Sequence, residues 1–374
     1  METGVIVIGG GIAGAGAAFE IAATHKVIVL ESESQCGYHS TGRSAASFTE
    51  NYGPPTIRRL ALASRDFLSD PPQGFTDHAL LGPRGMLTVA REDQREMLSA
   101  ALERARALVP SIEAVSVDEA LWRVPVLRRS AVAAAFFEPH SMDLDVNGLH
   151  QGFLRGAKAR GARIVTDAAV QAIEWRGGLW QVESRAGTFS APVLVNASGA
   201  WGDVVARMAG VEPLGLQPKR RTAFNIPAPE GHAIADWPMV DDVGAEFYFK
   251  PDAGQLLVSP ADATPHDPAD AYPDDLDVAI AADRLEQATT ISVQRVSRAW
   301  AGLRTFTPDG SPAVGLDDRA EGFVWLVGQG GYGIKTSPAL SRIAAAAVRG
   351  EPLPGDIADR GLTEADLGPQ RFRS

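Results

Sequence analysis

Hydrophobic and polar positions at the start of the chain predict a strand, a helix and a second strand. Residues 4–10 read GVIVIGG, residues 11–24 read GIAGAGAAFEIAAT, and residues 26–31 read KVIVLE. Continuous apolar runs of this length are typical of parallel strands that are buried on both faces. The pattern therefore predicts a βαβ unit, and with it a parallel α/β core that begins at the N-terminus.

Further along, helical and strand patterns alternate. Apolar residues recur at helical spacing in residues 56–70 and 92–109, and residues 147–195 predict a helix followed by short strands that lead back into the first core. A second sheet is predicted between residues 214 and 305, around RRTAFNI, EFYFKP and GQLLVSPA. Residues 322–350 again predict a strand, a glycine-rich turn and a helix. At 374 residues, two domains are expected.

Composition narrows the class of protein. Apolar residues make up 45% and charged residues 22%, as in a soluble globular protein. The net charge of -11 argues against a nucleic-acid partner, because neutralising phosphates requires a basic face. The single cysteine, Cys36, excludes an internal disulfide and favours the cytoplasm, with peripheral membrane contact left open. No run of 18 apolar residues occurs, so no transmembrane segment is expected.

A glycine motif lies between the first predicted strand and helix. Gly9, Gly11 and Gly14 form G-x-G-x-x-G, and Glu31 ends the second strand. These glycines permit a tight turn, close approach of a diphosphate and close packing of helix on strand, while the acid accepts hydrogen bonds from ribose hydroxyls. Residues 328–333 match the same pattern, but no strand and acid follow them. One adenine dinucleotide is therefore predicted.

The segment that follows Glu31 indicates which dinucleotide. Residues 37–47 read GYHSTGRSAAS, which is rich in small and hydroxylated side chains. Hydroxyls and backbone amides can follow a ribityl chain, and the small residues Ser44, Ala45 and Ala46 let a planar ring lie close to the backbone. This composition favours a flavin over a nicotinamide.

Several motifs resemble those of the D-amino-acid oxidase-like flavoenzymes. Beside the glycine motif and Glu31 these are GYHSTGRSAA, VLVNASGAWGD, GLQPKRR, FYFKPDAG, WAGLRTF and GQGGYGIKTS, in order from about residue 4 to residue 354. Within that family the motifs most resemble those of the D-arginine dehydrogenases. The resemblance implies non-covalent FAD and an α/β fold in which a Rossmann-like FAD-binding domain carries a smaller α+β substrate domain built on an antiparallel sheet. It implies residues 1–80, 145–210 and 306–374 for the first domain, and 81–144 and 211–305 for the second.

The same resemblance assigns cofactor contacts along the chain. It places the pyrophosphate at the glycine motif, the ribose at Glu31 and the adenine at Val170. The loop of residues 330–336, which opens a helix, is expected at the pyrimidine edge, where the helix N-terminus and Lys335 would stabilise negative charge. The full set is Gly9, Gly11, Ile12, Ala13, Gly14, Glu31, Ser32, Thr41, Arg43, Ser44, Ala45, Ala46, Val170, Ala197, Gly199, Trp201, Gly330, Tyr332, Gly333, Ile334, Lys335 and Thr336.

The substrate site is expected on the second sheet. An amino-acid carboxylate needs a cation that holds the Cα–H towards the flavin, and the planar fork of arginine suits this role. The resemblance assigns the clamp to Arg221 and Arg304, with phenols from Tyr52 and Tyr248. The Gly331 carbonyl is expected to accept a hydrogen bond from the substrate amine.

Two positions depart from the D-arginine dehydrogenase pattern. Ser47 stands where that branch has histidine, and Met86 stands near the place of a carboxylate that pairs with guanidinium. A buried guanidinium without a partner costs about 3 kcal/mol or more, so D-arginine is expected to be a poor substrate and apolar or bulky side chains better ones. Glu50 could restore a basic preference if it faced the pocket, although a solvated loop acid is the favoured interpretation.

The predicted reaction is hydride transfer from Cα to FAD, which yields an imino acid that hydrolyses to a 2-oxo acid and ammonia. Ser47 could place a water near the amine. Oxidation of a 2-hydroxy acid or an N-alkyl amino acid is an alternative, as is a flavin-binding assembly factor without turnover. The electron acceptor, whether oxygen, a quinone or a protein, stays open. The spacing of histidines and cysteines predicts no metal site.

Overall fold

The computed structural model describes residues 1–373. In chain order the strands are β1 Val5–Ile8, β2 Val27–Leu30, β3 Ser47–Phe48, β4 Leu81–Pro83, β5 Met86–Ala90, β6 Glu113–Val115, β7 Ala134–Glu138, β8 Met142–Leu144, β9 Arg163–Val165, β10 Val170–Arg176, β11 Leu179–Ser184, β12 Gly187–Ala191, β13 Val193–Asn196, β14 Gln217–Pro227, β15 Met239–Asp242, β16 Tyr248–Asp252, β17 Gln255–Ser259, β18 Thr264–Pro265, β19 Arg298–Phe306, β20 Ala313–Leu316 and β21 Phe323–Val327. The α-helices are α1 Ile12–Ile21, α2 Pro55–Ser69, α3 Arg95–Arg106, α4 Val117–Arg123, α5 Val146–Ala159, α6 Gly202–Met208, α7 Asp275–Ala288, α8 Gly333–Arg349, α9 Gly355–Ala358 and α10 Glu364–Leu367.

A six-stranded sheet in the order β20-β21-β13-β1-β2-β9 forms the first layer. Its pairs are parallel except for β20 with β21, and β1 is buried along its whole length, as the continuous apolar run predicts. Helices α1, α5 and α8 pack together on one side, around Phe19, Phe153 and Leu340. The βαβ unit predicted from residues 4–31 is confirmed.

The meander β10-β11-β12 leads into β13 and so back to the six-stranded sheet. Its inner face packs on that sheet through Trp180 and Phe189, together with Ile6 and Leu194. The short strands predicted after α5 therefore close the first core.

A second, predominantly antiparallel sheet contains β14, β16 and β17, the three strands predicted between residues 214 and 305. It joins β18, β14, β17, β16, β15, β5, β7 and β6, with β19 paired to β14. Helix α7 packs on one face over a core that includes Phe224 and Leu285. The fold class is confirmed, whereas the exact domain boundaries stay a prediction.

Among residues 1–373, no helix combines the length and apolarity that a bilayer crossing needs.

Candidate active site

A cavity of about 420 Å³ lies between the two large sheets. The turn after β1 and the end of β2 contribute to its wall from the six-stranded sheet, and β14, β16 and β19 contribute from the other sheet. Ligands of α/β proteins commonly bind beyond the carboxyl ends of parallel strands, which is where this cavity begins.

The glycine motif forms the turn between β1 and α1. Gly9 has a φ of +102°, and a side chain there would meet the Ala197 carbonyl oxygen at 2.6 Å. A Cβ on Gly14 would lie 1.8 Å from the Gly9 carbonyl oxygen. Gly14 therefore lets α1 pack on the turn, whereas Gly9 and Gly11 line the cavity itself.

Glu31 is buried at the end of β2 and accepts three hydrogen bonds. They come from the Gly10 amide at 2.8 Å, the Ser32 hydroxyl at 3.1 Å and the Glu33 amide at 3.0 Å. The carboxylate is thereby fixed at the cavity wall, where it can accept further hydrogen bonds from the hydroxyls of a ribose. At the start of α1, the Thr41 hydroxyl accepts a hydrogen bond from the Ile12 amide at 3.0 Å.

The segment that the sequence singles out, residues 37–46, crosses from one sheet to the other. The Ser40 hydroxyl donates to the Leu303 carbonyl at 2.6 Å, and the Trp300 indole donates to the Arg43 carbonyl at 3.2 Å. Gly302 makes this approach possible, because a side chain there would meet Cβ of Arg43 at 3.2 Å.

Arg43 lines the cavity, but its guanidinium is committed elsewhere. It binds the Asp270 carboxylate and donates to the carbonyls of Ala271 and Ala301 at 2.8 and 3.0 Å. The guanidinium therefore ties the 37–46 segment to β19, while the cofactor contact expected of Arg43 stays a prediction.

Most of the predicted cofactor contacts meet at this one cavity. Its wall contains Gly9, Gly11, Ile12, Ala13, Glu31, Ser32, Thr41, Arg43, Ser44, Ala45, Val170, Ala197, Gly199, Trp201, Gly330, Gly333 and Ile334. Five others lie outside that wall: Gly14, Ala46, Tyr332, Lys335 and Thr336. Thr336 is fully buried and donates its hydroxyl to the Tyr332 carbonyl inside the first turn of α8, so it stabilises the helix rather than facing the cavity.

Contrary to the prediction, Lys335 does not line the cavity. Its ammonium donates to the carbonyls of Thr49 and Tyr52, both at 2.7 Å, on the far side of the first turn of α8. Burial lowers the pKa of Lys335 to about 7, with Arg58 adding to the effect and the Glu138 and Glu50 charges opposing it. The helix N-terminus itself stays at the cavity through Gly333 and Ile334.

The two predicted clamp arginines lie on neighbouring strands and on one face of the second sheet. Arg221 of β14 is directly opposite Gly302 of β19, which makes Arg304 its diagonal neighbour. Both line the cavity. Burial and the charge of Arg304 lower the pKa of Arg221, which is the sign of two like charges held close in a sheltered site. Such a pair is suited to bind an anion.

The other predicted substrate contacts surround Arg304. Tyr248 is buried and lines the cavity beside Ala223, and the backbone of Gly331 lies against the Arg304 guanidinium, where a Cβ would come within 2.9 Å of Nη1. Burial opposes the charge of Arg304, yet its pKa is raised by the phenols of Tyr248 and Tyr52, the second also through a hydrogen bond. Tyr52 itself is 47% exposed, so it lies at the outer edge of the site.

Ser47 and Met86, the two positions that depart from the D-arginine dehydrogenase pattern, are both neighbours of Met239. Met86 pairs with Met239 across β5 and β15, and the Ser47 hydroxyl donates to the Met239 sulfur at 3.3 Å. Register places Met86 and Met239 on the sheet face that carries Tyr248, because Thr88 pairs with Asp241 and Asp241 with Tyr248. Met239 packs against the cluster that contains Tyr248, so the three side chains form a neutral wall beside that phenol, outside the lining of the main cavity.

Carboxylates that sequence reasoning missed lie on the same face. Glu138 is opposite Met86, and its two oxygens accept from the Thr49 hydroxyl at 2.8 Å and the Asn51 amide at 3.2 Å. Burial raises the pKa of Asp241 to about 7, with Glu138 and Asp242 adding to the rise. Glu50 is buried and paired with Arg65 at 2.5 Å, which corrects the expectation of a solvated acid.

Other residues of the cavity were also missed. His39 and Ser40 lie within the motif GYHSTGRSAA and Ser198 within VLVNASGAWGD, so their polar side chains could have been identified from the sequence as cavity residues. Leu303, Thr305 and Gln329 line the cavity because β19 and the turn after β21 lie side by side, which no local pattern indicates. Within residues 1–373, no cluster of three or more potential metal ligands is present.

The residues present fit FAD. The wall offers glycine backbone for a diphosphate, a fixed carboxylate for a ribose and small residues at 44–45 for a flat ring, and it ends at two arginines suited to an acidic substrate.

Comparison with known proteins gives the same family. The family model described as FAD dependent oxidoreductase, DAO, matches residues 4–347. A glycine oxidase of Bacillus licheniformis is 24% identical over 93% of this chain and 93% of its own. A crystal structure of glycine oxidase from Geobacillus kaustophilus has a TM-score of 0.84 with 23% identity and covers 97% of this chain and 98% of that one. An L-alpha-glycerophosphate oxidase from Mycoplasma pneumoniae with FAD bound has a TM-score of 0.82 with 20% identity, over 93% and 95% of the two chains.

These relatives support the family but not the D-arginine dehydrogenase branch expected from the motifs, since glycine oxidases stand among the similar proteins in both sequence and fold. The chain belongs to the FAD-dependent oxidoreductases of the DAO family, and its cofactor is non-covalent FAD.

Proposed function

We propose that this flavoenzyme oxidises the Cα–N bond of an α-amino acid, with D-amino acids that carry neutral side chains as its preferred substrates. The observation that carries the proposal is the pair Arg221 and Arg304, which line the same cavity as the glycine turn. Two adjacent guanidinium groups can hold a carboxylate in a fixed orientation, and orientation supplies much of the rate in reactions of this kind.

Each residue of the site has a defined task in this proposal. The arginine pair binds the carboxylate, the Tyr248 phenol donates to it, and the Gly331 carbonyl accepts a hydrogen bond from the amine. FAD, when bound, supplies the hydride acceptor. The N-terminus of α8, at Gly333 and Ile334, favours negative charge at its end of the cavity. No protein base is required if the amine binds neutral, and water then hydrolyses the imino acid to a 2-oxo acid and ammonia.

The preference for neutral side chains rests on the wall of Ser47, Met86 and Met239. None of the three carries a charge, and both oxygens of neighbouring Glu138 are already hydrogen-bonded. Burial and the neighbouring carboxylates raise the pKa of Asp241, which disfavours its charged form and makes it a weak partner for a guanidinium. D-Arginine should therefore react slowly.

A substrate panel under anaerobic conditions tests the proposal through loss of the oxidised-flavin absorbance. D-methionine and D-phenylalanine should bleach the flavin quickly, D-arginine slowly and the L-enantiomers slowly or not at all. Reduction by 2-hydroxy acids alone would overturn the amine chemistry. A protein that takes up FAD but is bleached by none of these compounds would instead be a binding protein without turnover.

Glycine or an N-methylated glycine is a second candidate substrate, favoured by the likeness to glycine oxidases along nearly the whole chain. The same clamp would serve it, because these compounds share the carboxylate and differ only at the side chain and nitrogen. Glycine and sarcosine in the panel decide between the two, and adding oxygen or a quinone to the reduced protein identifies the class of acceptor.

A further inference from the structure

The loop of residues 49–53 forms the outer edge of the active site and is anchored through both its backbone and its side chains. It carries Tyr52, whose ring lies 5.2 Å from that of Tyr332 and whose phenol is near enough to Arg304 to raise the pKa of that guanidinium. Tyr52 is 47% exposed, so side-chain packing alone does not fix it. The position of Tyr52 relative to the arginine pair therefore depends on the groups that hold the 49–53 loop in place.

Two buried groups of opposite charge hold the loop, Lys335 through its backbone and Glu138 through its side chains. Lys335 Nζ donates to the carbonyls of Thr49 and Tyr52, both at 2.7 Å, so that one ammonium binds the two ends of a short segment. Glu138 accepts from the Thr49 hydroxyl at 2.8 Å and from the Asn51 side-chain amide at 3.2 Å. Lys335 is 3% exposed and Glu138 4%, which makes these groups costly to bury unless their hydrogen bonds are kept.

The flanks of the loop are held as well, but at its margins. Arg65 binds Glu50 at 2.5 Å, and the Arg58 guanidinium donates to the Gly53 carbonyl at 2.8 Å. Neither of these bonds touches the residue that carries the phenol. Within residues 1–373, Lys335 is the one side chain of α8 that donates to the Tyr52 backbone.

We propose that Lys335 is a positioning residue which, with Glu138, holds the 49–53 loop so that the Tyr52 phenol lies against Arg304 and the carboxylate clamp is complete. The lysine acts through the loop and not on the flavin, since its ammonium is turned away from the cavity wall. This role goes beyond the proposed chemistry, because it assigns to Lys335 the geometry of the substrate-binding edge.

The effect of replacing Lys335 should depend on whether the new side chain donates hydrogen bonds more than on whether it is charged. A neutral side chain that still donates two hydrogen bonds should keep much of the loop geometry, whereas an apolar one of similar length leaves two buried carbonyls without partners. Lys335→Gln and Lys335→Met are therefore the informative pair. Arg342→Met is the matched control, because Arg342 lies on the same helix and pairs with Asp356 at the surface.

Hydrogen exchange of the FAD-loaded full chain tests the loop directly and needs no substrate. Peptides covering residues 49–53 should exchange at least about tenfold faster in Lys335→Met, stay near wild type in Lys335→Gln and be unchanged in Arg342→Met. Unchanged exchange of these peptides in Lys335→Met would overturn the proposal. Because this measurement is independent of turnover, it stands even if the proposed reaction fails.

A double-mutant cycle with Tyr52→Phe tests the route of action, with D-methionine and glycine as probes. In Lys335→Met the KM should rise by about tenfold while kcat changes less, and the same substitution should add little in a Tyr52→Phe background. Additive effects on KM, or a loss confined to kcat, would show that Lys335 acts on the cofactor and not through Tyr52.

Discussion

The electrostatics of single side chains make the second sheet an anion site. Arg221 donates its Nε hydrogen to the Asp262 carbonyl at 2.5 Å, and the Asp262 carboxylate lies 3.9 Å from the same atom. One edge of the guanidinium is thus fixed by the protein. The remaining N–H groups, together with those of Arg304, are left for an anion in the cavity.

Arg304→Met should raise the KM for the amino acid by about 100-fold, equivalent to ~3 kcal/mol, because a charge-assisted bidentate contact is lost. FAD content should not change, which the absorbance ratio of flavin to protein checks. Arg220→Met is the matched control: Arg220 precedes Arg221 on β14, points to the opposite face and pairs with Asp277 at 2.8 Å. Equal losses in both variants would contradict the assignment of the clamp.

Met86→Glu should increase activity on D-arginine, because it places a carboxylate in the neutral wall beside Tyr248. The new acid would lie opposite Glu138 and near Asp241, so like charges and burial should raise its pKa. The gain should therefore grow as the pH rises and the new carboxyl group ionises. Kinetics of D-arginine and D-methionine across pH measure it, with Met86→Gln as the uncharged control. An identical gain in the two variants would mean that charge is not the cause.

At the scale of elements, two glycines of the turn between β1 and α1 have different roles, one in packing and one at the cavity. Gly14 serves helix packing, since a Cβ would collide with the backbone oxygen of Gly9 at 1.8 Å. Gly11 serves the ligand, since the nearest atom to a Cβ there is the Thr41 hydroxyl at 3.3 Å. The two glycines should respond differently to the same substitution.

Gly14→Ala should lower the free energy of unfolding of the apoprotein by about 3 kcal/mol or more, because neither backbone segment can move away. Gly11→Ala should leave that stability nearly unchanged but weaken FAD binding, as its methyl group enters the cavity. Denaturant unfolding of the apoprotein and titration with FAD measure the two effects separately. A Gly14→Ala protein of wild-type stability would show that the packing role is wrong.

The sequence predicts elements well where the signal is local. The first βαβ unit, the strands β14, β16 and β17 and the glycine turn all follow from short patterns of apolar residues and glycines. The start of α8 was also predicted, but not its rotation: Gly333 and Ile334 face the cavity, while the next side chain, Lys335, points to the 49–53 loop. Successive residues of a helix point about 100° apart, so a motif locates the helix end without fixing each side chain.

Long-range register explains what the sequence does not predict. Met86 reaches Ser47 only through Met239, in a parallel pairing of β5 with β15 that joins segments more than a hundred residues apart. Arg43 likewise finds Asp270 on a distant segment. Predicted site residues were therefore brought together mostly as expected, whereas their partners depended on the tertiary fold.

At the scale of the whole molecule, the cavity is shared by both sheets. The 37–46 segment leaves the six-stranded sheet after β2 and is tied to β19 by Ser40, Arg43 and Trp300. A ligand that touches Glu31 at one end and Leu303 of β19 at the other contacts both large sheets of the protein. Its binding should stabilise them together.

FAD should therefore raise the thermal midpoint of the whole chain in one transition. At about 100 times its Kd, a ligand that binds only the folded state adds ~2.7 kcal/mol, which for a chain of this length is a shift of about 3 °C. Glu31→Gln should lose most of that shift at the same FAD concentration, because the ribose hydroxyls lose a charged acceptor that β2 and the glycine turn hold in place. Arg304→Met should keep the shift, since its side chain serves the substrate. Calorimetry with and without FAD measures the shift for the wild type and both variants. An undiminished shift in Glu31→Gln would show that Glu31 does not bind the nucleotide. Two separate transitions in the wild type would show that the two sheets unfold independently despite their common cavity.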